Sequence, residues 1–122
     1  MYLCGSKTLP TINYDEMKGV IEITGRSISV EVENYFDEFL PYLIDCLQKK
    51  PMNIEVTINL EYFNTKSAHL LLTMFNVFKK YVDNNGFVTV IKWYHEKEDE
   101  DILDASKDYK EMTGLNFEFV AV

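Results

Sequence analysis

The stretch Asn53–Phe63, N-I-E-V-T-I-N-L-E-Y-F, decides the fold class of this chain. Apolar residues alternate with polar ones along it, which is typical of a β-strand with one buried and one open face. The face that we expect to be buried carries Ile54, Val56, Ile58, Leu60 and Tyr62. Asn64 and Thr65 follow directly, and both residue types cap helices well. An apolar helical pattern then runs to about Asp83, so a strand passes straight into a long helix.

The residues before this stretch predict further strands. Gly19–Thr24 alternates apolar and polar residues like a half-buried strand, and Thr8–Tyr14 is a candidate for a short edge strand. Asp15–Lys18 is typical of a turn between the two. Ser27–Glu33 fits either extended chain or a loop, and the sequence leaves both open.

A first helix is predicted to start near Asn34, which can cap it, and to close near Lys49 and Pro51. Its apolar residues recur at helical spacing and form one face. Pro41 lies inside this pattern. Because proline is unfavourable in a helix interior, we expect a kink or a restart of the helix there.

The residues after the long helix repeat the same alternation of elements. Phe87–Tyr94 predicts a strand, a third helix ends at Gly114, and Asn116–Val122 predicts a last strand. Strands that alternate with helices indicate an α/β fold with a mostly parallel or mixed sheet. We expect about five strands and about three helices, mainly on one face, in a single domain that spans residues 1–122.

Composition and charge exclude several classes of protein. The 122 residues are 47% hydrophobic, enough for a single core. No apolar run reaches membrane-spanning length and no secretion signal is evident, so we expect a cytoplasmic protein. Cys4 and Cys46 lack metal-binding spacing and are expected to be thiols. The net charge of −8 argues against nucleic-acid binding and against a basic membrane anchor.

Signals for catalysis, metals or cofactors are weak throughout the sequence. There is no glycine-rich phosphate loop and no serine elbow, and His69 and His95 are too isolated for a zinc site. A surface position at a strand end is the simplest interpretation of His95. The acidic run Glu96–Asp101 is best explained as the start of a helix with Asp99 as its cap. A small enzyme that joins these acids to His95 is the less favoured alternative, and we expect no cofactor and no metal.

The corner between the Asn53–Phe63 strand and the long helix is the most informative segment. The bland interpretation of Thr65 is a helix cap whose hydroxyl accepts a backbone N–H. A threonine at an exposed corner is also accessible to a kinase. A phosphate there would gain from free N–H groups and the helix dipole, so the fold should tolerate it. A docked partner would have to desolvate the added charge, so the modified form should release its partner.

The long helix carries two apolar stripes, more than packing on a sheet requires. The second stripe consists of Leu70, Met74, Val77 and Tyr81. Neighbouring helices that cover this stripe are the bland interpretation. An exposed patch for a partner, including a second copy of the chain in a homodimer, is the functional one.

Three segments together resemble the SiaC family of bacterial regulatory phosphoproteins: Y-F-N-T-K-S at Tyr62–Ser67, Trp93–Tyr94, and D-E-D at Asp99–Asp101. This family is similar to the STAS-domain antagonists of anti-sigma factors. The aromatic strand Phe117–Phe119 and the segment from Ser27 to Pro41 fit the same pattern. The chain departs from the pattern at Lys66, where the family has serine, and at Val32, where it has proline.

The resemblance implies a STAS-like fold and a non-catalytic partner switch. A cognate kinase would phosphorylate Thr65, a phosphatase would reverse this, and the unmodified form would bind and regulate a target. In the family the target can be a diguanylate cyclase, which makes cyclic-di-GMP signalling the output. The residues that we expect to contact a partner are Asn64, Lys66, Ser67, Glu33, Asn34, Leu70 and Met74. A passive interaction or dimerisation domain is the alternative, in which Thr65 would affect stability only.

Overall fold

A six-stranded sheet organises the chain, and the computed structural model describes all 122 residues. The strands follow chain order across the sheet: β1 (Tyr2–Leu3), β2 (Thr11–Asp15), β3 (Val20–Ser27), β4 (Ile54–Phe63), β5 (Thr89–His95) and β6 (Asn116–Ala121). The first three are antiparallel, and β3 to β6 are parallel. The α/β prediction is confirmed, with one strand more than expected. The extra strand is β1, which is too short to show a periodicity and which takes the edge position predicted for β2.

Three helices connect the parallel strands: α1 (Val32–Lys49), α2 (Thr65–Asn85) and α3 (Glu100–Thr113). Because β3 to β6 advance in one direction and such crossovers are right-handed, all three helices lie on the same face of the sheet. Burial agrees with this arrangement. Ile23, Ile58 and Trp93 are fully buried beneath the helices. The opposite face stays polar and open, as the pairing of Lys92 with Glu55 at its surface shows.

Helix α1 differs from its prediction at its start, and at Pro41 it excludes the restart that was one of the two expected alternatives. It begins at Val32 rather than at Asn34, and its N-cap, Glu31, makes no side-chain capping bond. Asn34 therefore lies within the first turn. The helix also continues through Pro41 without restarting. Pro41 and Asp37, whose carbonyl loses its helical donor, are both exposed, so water can take the place of the missing bond.

Helix α2 is the central helix, because it packs against α1 on one side and α3 on the other. This position explains its two apolar stripes. Met74 and Tyr81 of the second stripe are buried, and Leu70 packs against the core. Beneath α2, the ring of Phe75 lies 5.0 Å from that of Tyr109 and 5.2 Å from that of Phe117. The bland interpretation of the second stripe is thus the correct one.

A β-bulge alters the end of β4. Arg26 pairs with Tyr62 while Gly25 pairs with Leu60, so Glu61 is skipped in the register. An extra residue reverses which side chains face the core from that point on. Tyr62 is 54% exposed, contrary to the alternation in the sequence. Phe63 turns inward instead, with its ring 5.9 Å from that of Trp93.

Local chemistry fixes the remaining ends of the elements. Asp99 caps α3 as predicted, since its Oδ1 accepts the Ile102 N–H at 3.1 Å. Gly86, at φ 73°, closes α2 in the left-handed conformation that glycine adopts most easily.

His95 is buried rather than on the surface. Both cysteines are free thiols. None of the helices combines the length and apolar character needed to cross a membrane.

Candidate functional site: the corner between β4 and α2

The carboxyl ends of β3 and β4 lie side by side, and α2 starts at this edge of the sheet. Asn64 joins the three elements. Its Oδ1 accepts the Ser67 N–H at 2.9 Å, its Nδ2 donates to the Ile28 carbonyl at 3.0 Å, and its own N–H donates to the Ser27 carbonyl at 3.0 Å. Asn64 is therefore the N-cap of α2. The interpretation of Thr65 as the cap is wrong, because Thr65 is the first residue inside the helix.

A pair of buried serines lies beneath this cap. Ser27 and Ser67 are 2% and 0% exposed. The Ser67 hydroxyl donates to the Ser27 carbonyl at 2.7 Å, which uses its only hydrogen. The 2.6 Å contact between the two hydroxyls must therefore have Ser27 as donor and Ser67 as acceptor. We call Ser27, Asn64 and Ser67 the corner clamp, since their bonds fix the start of α2 onto β3.

Thr65 stands on the corner clamp but takes no part in it. Thr65 is exposed to solvent, and its hydroxyl makes no hydrogen bond within the chain. The amides of Thr65 and Lys66 are also free, because the cap satisfies only Ser67 and the first helical bond begins at Ala68. The first turn of α2 contains no acidic side chain. The geometry thus presents one exposed, unbonded hydroxyl at the start of a helix that also has two unused N–H donors.

An ion pair links the first turns of α1 and α2. Lys66 Nζ lies 3.1 Å from Glu33 Oε2, and both side chains are about half exposed. Asn34 is exposed next to Glu33 in the same turn. The structure therefore brings together five of the predicted site residues at one surface, since Asn64 and Thr65 adjoin this pair.

Two predicted partner contacts are contradicted by burial. Ser67 and Met74 are both 0% exposed, so neither side chain can touch a protein that docks on this fold. Ser67 serves the corner clamp, and Met74 fills the space beneath the central helix. Leu70 is half-buried against the core and lies one helical turn beyond Ser67.

The sequence did not predict two contacts of the site. One is the loop of residues 28–31, which Asn64 anchors at the Ile28 carbonyl. The other is Tyr109 of α3, whose hydroxyl donates to the Ala68 carbonyl at 2.8 Å and so braces the first turns of α2. Burial raises the pKa of Tyr109 to about 12, so this donor stays protonated even above the ordinary tyrosine pKa of 10. Spacings of about forty residues leave no periodic signal for either contact.

The acidic run does not form the alternative enzyme site. The shallow cavity there is lined by Glu96, Lys97 and Glu98 with Val122, and His95 is not among its walls. His95 Nδ1 instead lies 2.9 Å from the Glu96 carbonyl oxygen. No group of three or more His, Cys, Asp or Glu side chains is arranged to hold a metal ion.

Comparison with known proteins decides the family. The model of the SiaC family regulatory phosphoprotein matches residues 3–122. The chain belongs to the SiaC family. This confirms the resemblance seen in its motifs and identifies a non-catalytic regulatory protein rather than an enzyme. No curated protein matches the sequence.

Solved structures of SiaC from Pseudomonas aeruginosa share this fold at low sequence identity. Apo-SiaC aligns with a TM-score of 0.90 at 16% identity, covering 99% of this chain and 98% of the other. SiaC in a complex with the diguanylate cyclase SiaD, whose activator it is, aligns with a TM-score of 0.93 at 16% identity, covering 100% and 99%. At this identity the likeness establishes the fold alone.

Proposed function

We propose that this member of the SiaC family switches a target protein through reversible phosphorylation of Thr65. The observation that carries the proposal is the contrast within the corner. Thr65 offers an exposed, unbonded hydroxyl, while Ser67, two residues later, is buried and bonded twice. A kinase can reach the first on the folded protein and cannot reach the second.

The start of α2 accommodates a phosphate without unfolding. A phosphoryl group on Thr65 Oγ1 lies near the free N–H groups of Thr65 and Lys66, at the positive end of the helix dipole. It adds a charge of about −2 to the surface. The phosphate therefore changes what can dock at the corner more than it changes the fold.

Three other proteins complete the switch. A kinase transfers the phosphoryl group from a nucleoside triphosphate to the Thr65 hydroxyl, and a phosphatase hydrolyses the resulting phosphate ester. The target is a diguanylate cyclase, by analogy with the SiaC that activates SiaD. The unmodified form binds this cyclase and raises cyclic-di-GMP synthesis, and the whole exchange takes place in the cytoplasm. Around Thr65, the docking residues are Asn64, Lys66, Glu33 and Asn34, with Leu70 at the margin.

The test pairs phosphopeptide mass spectrometry with cyclase assays. The protein is purified from its own cells and its phosphorylated residues are mapped. Each diguanylate cyclase of the source organism is then assayed with the wild-type chain, Thr65→Ala and Thr65→Glu. Thr73→Glu is the matched control, because Thr73 is an exposed threonine further along the same helix. We expect phosphate on Thr65, activation by the wild type, Thr65→Ala and Thr73→Glu, and no activation by Thr65→Glu.

Two results would contradict the proposal. One is the absence of phosphate on Thr65 under every growth condition. The other is equal activity of Thr65→Ala and Thr65→Glu on every cyclase, which would leave the corner as a structural feature only.

A further inference from the structure

The loop between β3 and α1, residues 28–31, exposes apolar side chains beside Thr65. Val30 is 83% exposed and Ile28 is 40% exposed. Val30 is the most exposed large apolar side chain of the chain. Such a side chain contributes little to the stability of the fold, since its apolar surface stays in water.

This loop is anchored by hydrogen bonds although it lies outside helices and strands. The N–H groups of Ile28 and Ser29 both donate to the Thr8 carbonyl at 3.0 Å. The Ile28 carbonyl accepts from Asn64 Nδ2 at 3.0 Å, and the Glu31 N–H donates to Ser29 Oγ at 3.0 Å. A fixed loop loses little conformational entropy when a partner binds it. An exposed apolar side chain on such a loop can bury its surface in a partner at a low cost in backbone entropy.

The loop and Thr65 belong to one surface. Asn64 contacts the loop through its side chain and precedes Thr65 in the chain, so one residue joins the two features. The charges between them are already compensated, because Lys66 pairs with Glu33 at 3.1 Å. This ion pair and the exposed Glu31 carboxylate, which has no ion-pair partner, stay at the hydrated rim of such a contact, because covering them with an apolar surface would cost free energy.

We propose that residues 28–31 form the docking loop for the regulated target, with Val30 and Ile28 entering an apolar pocket of that protein. This inference rests on the proposed function and names the contact through which phosphorylation acts. A phosphate on Thr65 lies at the margin of that pocket and must lose water when the target binds. Lys66 can neutralise the phosphate only by leaving Glu33, so the modified form docks poorly.

The test is a binding titration with the purified diguanylate cyclase that binds the wild-type chain. Val30→Ser should raise the dissociation constant by at least about tenfold, because serine cannot replace the apolar surface that valine buries in the pocket. Val30→Ile, which keeps an apolar side chain, should retain binding. Val88→Ser is the matched control: Val88 is a 52% exposed valine before β5, at the opposite end of the parallel strands. It should bind within about twofold of the wild type, because it lies far from the corner.

The outcomes separate this inference from the function on which it rests. If the wild type binds a cyclase and Val30→Ser binds equally well, the docking loop is wrong and the switch stands. If no cyclase binds the wild type, the proposed target is wrong. A photocrosslinking residue is then placed at position 30 or at position 88, and the proteins that each variant captures in the source cells are identified. One identified protein, crosslinked from position 30 only and lost in Thr65→Glu, supports the loop, and its absence overturns it. Unchanged thermal unfolding of Val30→Ser shows that the fold is intact.

Discussion

The starts of α2 and α3 are built alike but differ in charge. Each helix begins just beyond the carboxyl end of a parallel strand, and each is capped by an Asx side chain, Asn64 in α2 and Asp99 in α3. The first turn of α3 carries Glu100 and Asp101, which complement the helix dipole permanently. The first turn of α2 has no acidic residue, only the exposed Thr65. One helix carries its negative charge in the sequence, while the other leaves a place where a phosphate can supply it reversibly.

Removal of the Ser67 hydroxyl is the largest expected loss, because it breaks the corner clamp that only α2 possesses. Ser67→Ala leaves the buried Ser27 hydroxyl without its acceptor, and we expect about 3 kcal/mol less unfolding free energy. Ser106→Ala is the control in α3. Ser106 is also buried, but its hydroxyl donates only to the Leu103 carbonyl of its own helix. Urea unfolding of both variants measures the difference in unfolding free energy. Equal losses would show that the corner clamp contributes no more stability than the single hydrogen bond of Ser106.

The two caps should differ in the same direction by a smaller amount. Asp99→Ala should cost about 1 kcal/mol, the usual value for a lost N-cap. Asn64→Ala should cost about 2 kcal/mol, since the bond from Asn64 Nδ2 to the Ile28 carbonyl is lost as well. Thermal unfolding compares them. A smaller loss for Asn64→Ala than for Asp99→Ala would show that the loop is not anchored through this cap.

Alkaline pH tests the brace between the two helices. Tyr109 of α3 has its pKa raised to about 12 by burial, above the ordinary value of 10. The folded chain therefore keeps a proton that the unfolded chain loses. This contribution is intact below about pH 10 and is lost as the pH rises towards 12, with a total on the order of 2 kcal/mol. The difference between wild type and Tyr109→Phe isolates it, and a difference that does not change with pH would disprove the linkage.

Phosphorylation of Thr65 should have the smallest effect on stability. An anion at the start of α2 should add about 0.5 kcal/mol at low salt, and high salt should screen this gain. Calorimetry of the phosphorylated protein measures it. Thr65→Glu and Thr73→Glu are the matched pair, since the second anion lies too far along the helix to complement the dipole. Equal shifts in the two variants would mean that the start of α2 does not favour negative charge.

The sequence predicted what local patterns encode. The strand within Asn53–Phe63, the cap Asp99 and helices on one face follow from periodicity and short-range chemistry. For α2 the same chemistry offered both Asn64 and Thr65 as capping types, and the interpretation favoured Thr65, whereas Asn64 is the cap. The position of Thr65 at the corner suggested either a helix cap or a hydroxyl accessible to a kinase, and the motif resemblance added the partner switch and the family.

The sequence could not predict contacts that depend on distant residues. The Ser27–Ser67 pair joins the end of β3 to the first turn of α2 across forty positions, so Ser67 looked like an exposed hydroxyl. Met74 looked available because a single helix cannot show that α1 and α3 cover both its sides. The bulge at Glu61 also has no signature in the alternation, and it turned Tyr62 outward.

The span of the corner clamp also bears on when the protein can be modified. Its two serines are forty positions apart, so the corner does not exist until β3, α1 and β4 have assembled and the chain has closed that long loop. A nascent or misfolded chain has Thr65 but lacks the platform beneath it. A kinase that recognises the shape of the corner rather than a linear motif therefore acts on folded molecules only. Under the proposed function, the clamp makes completed folding a condition for phosphorylation of Thr65.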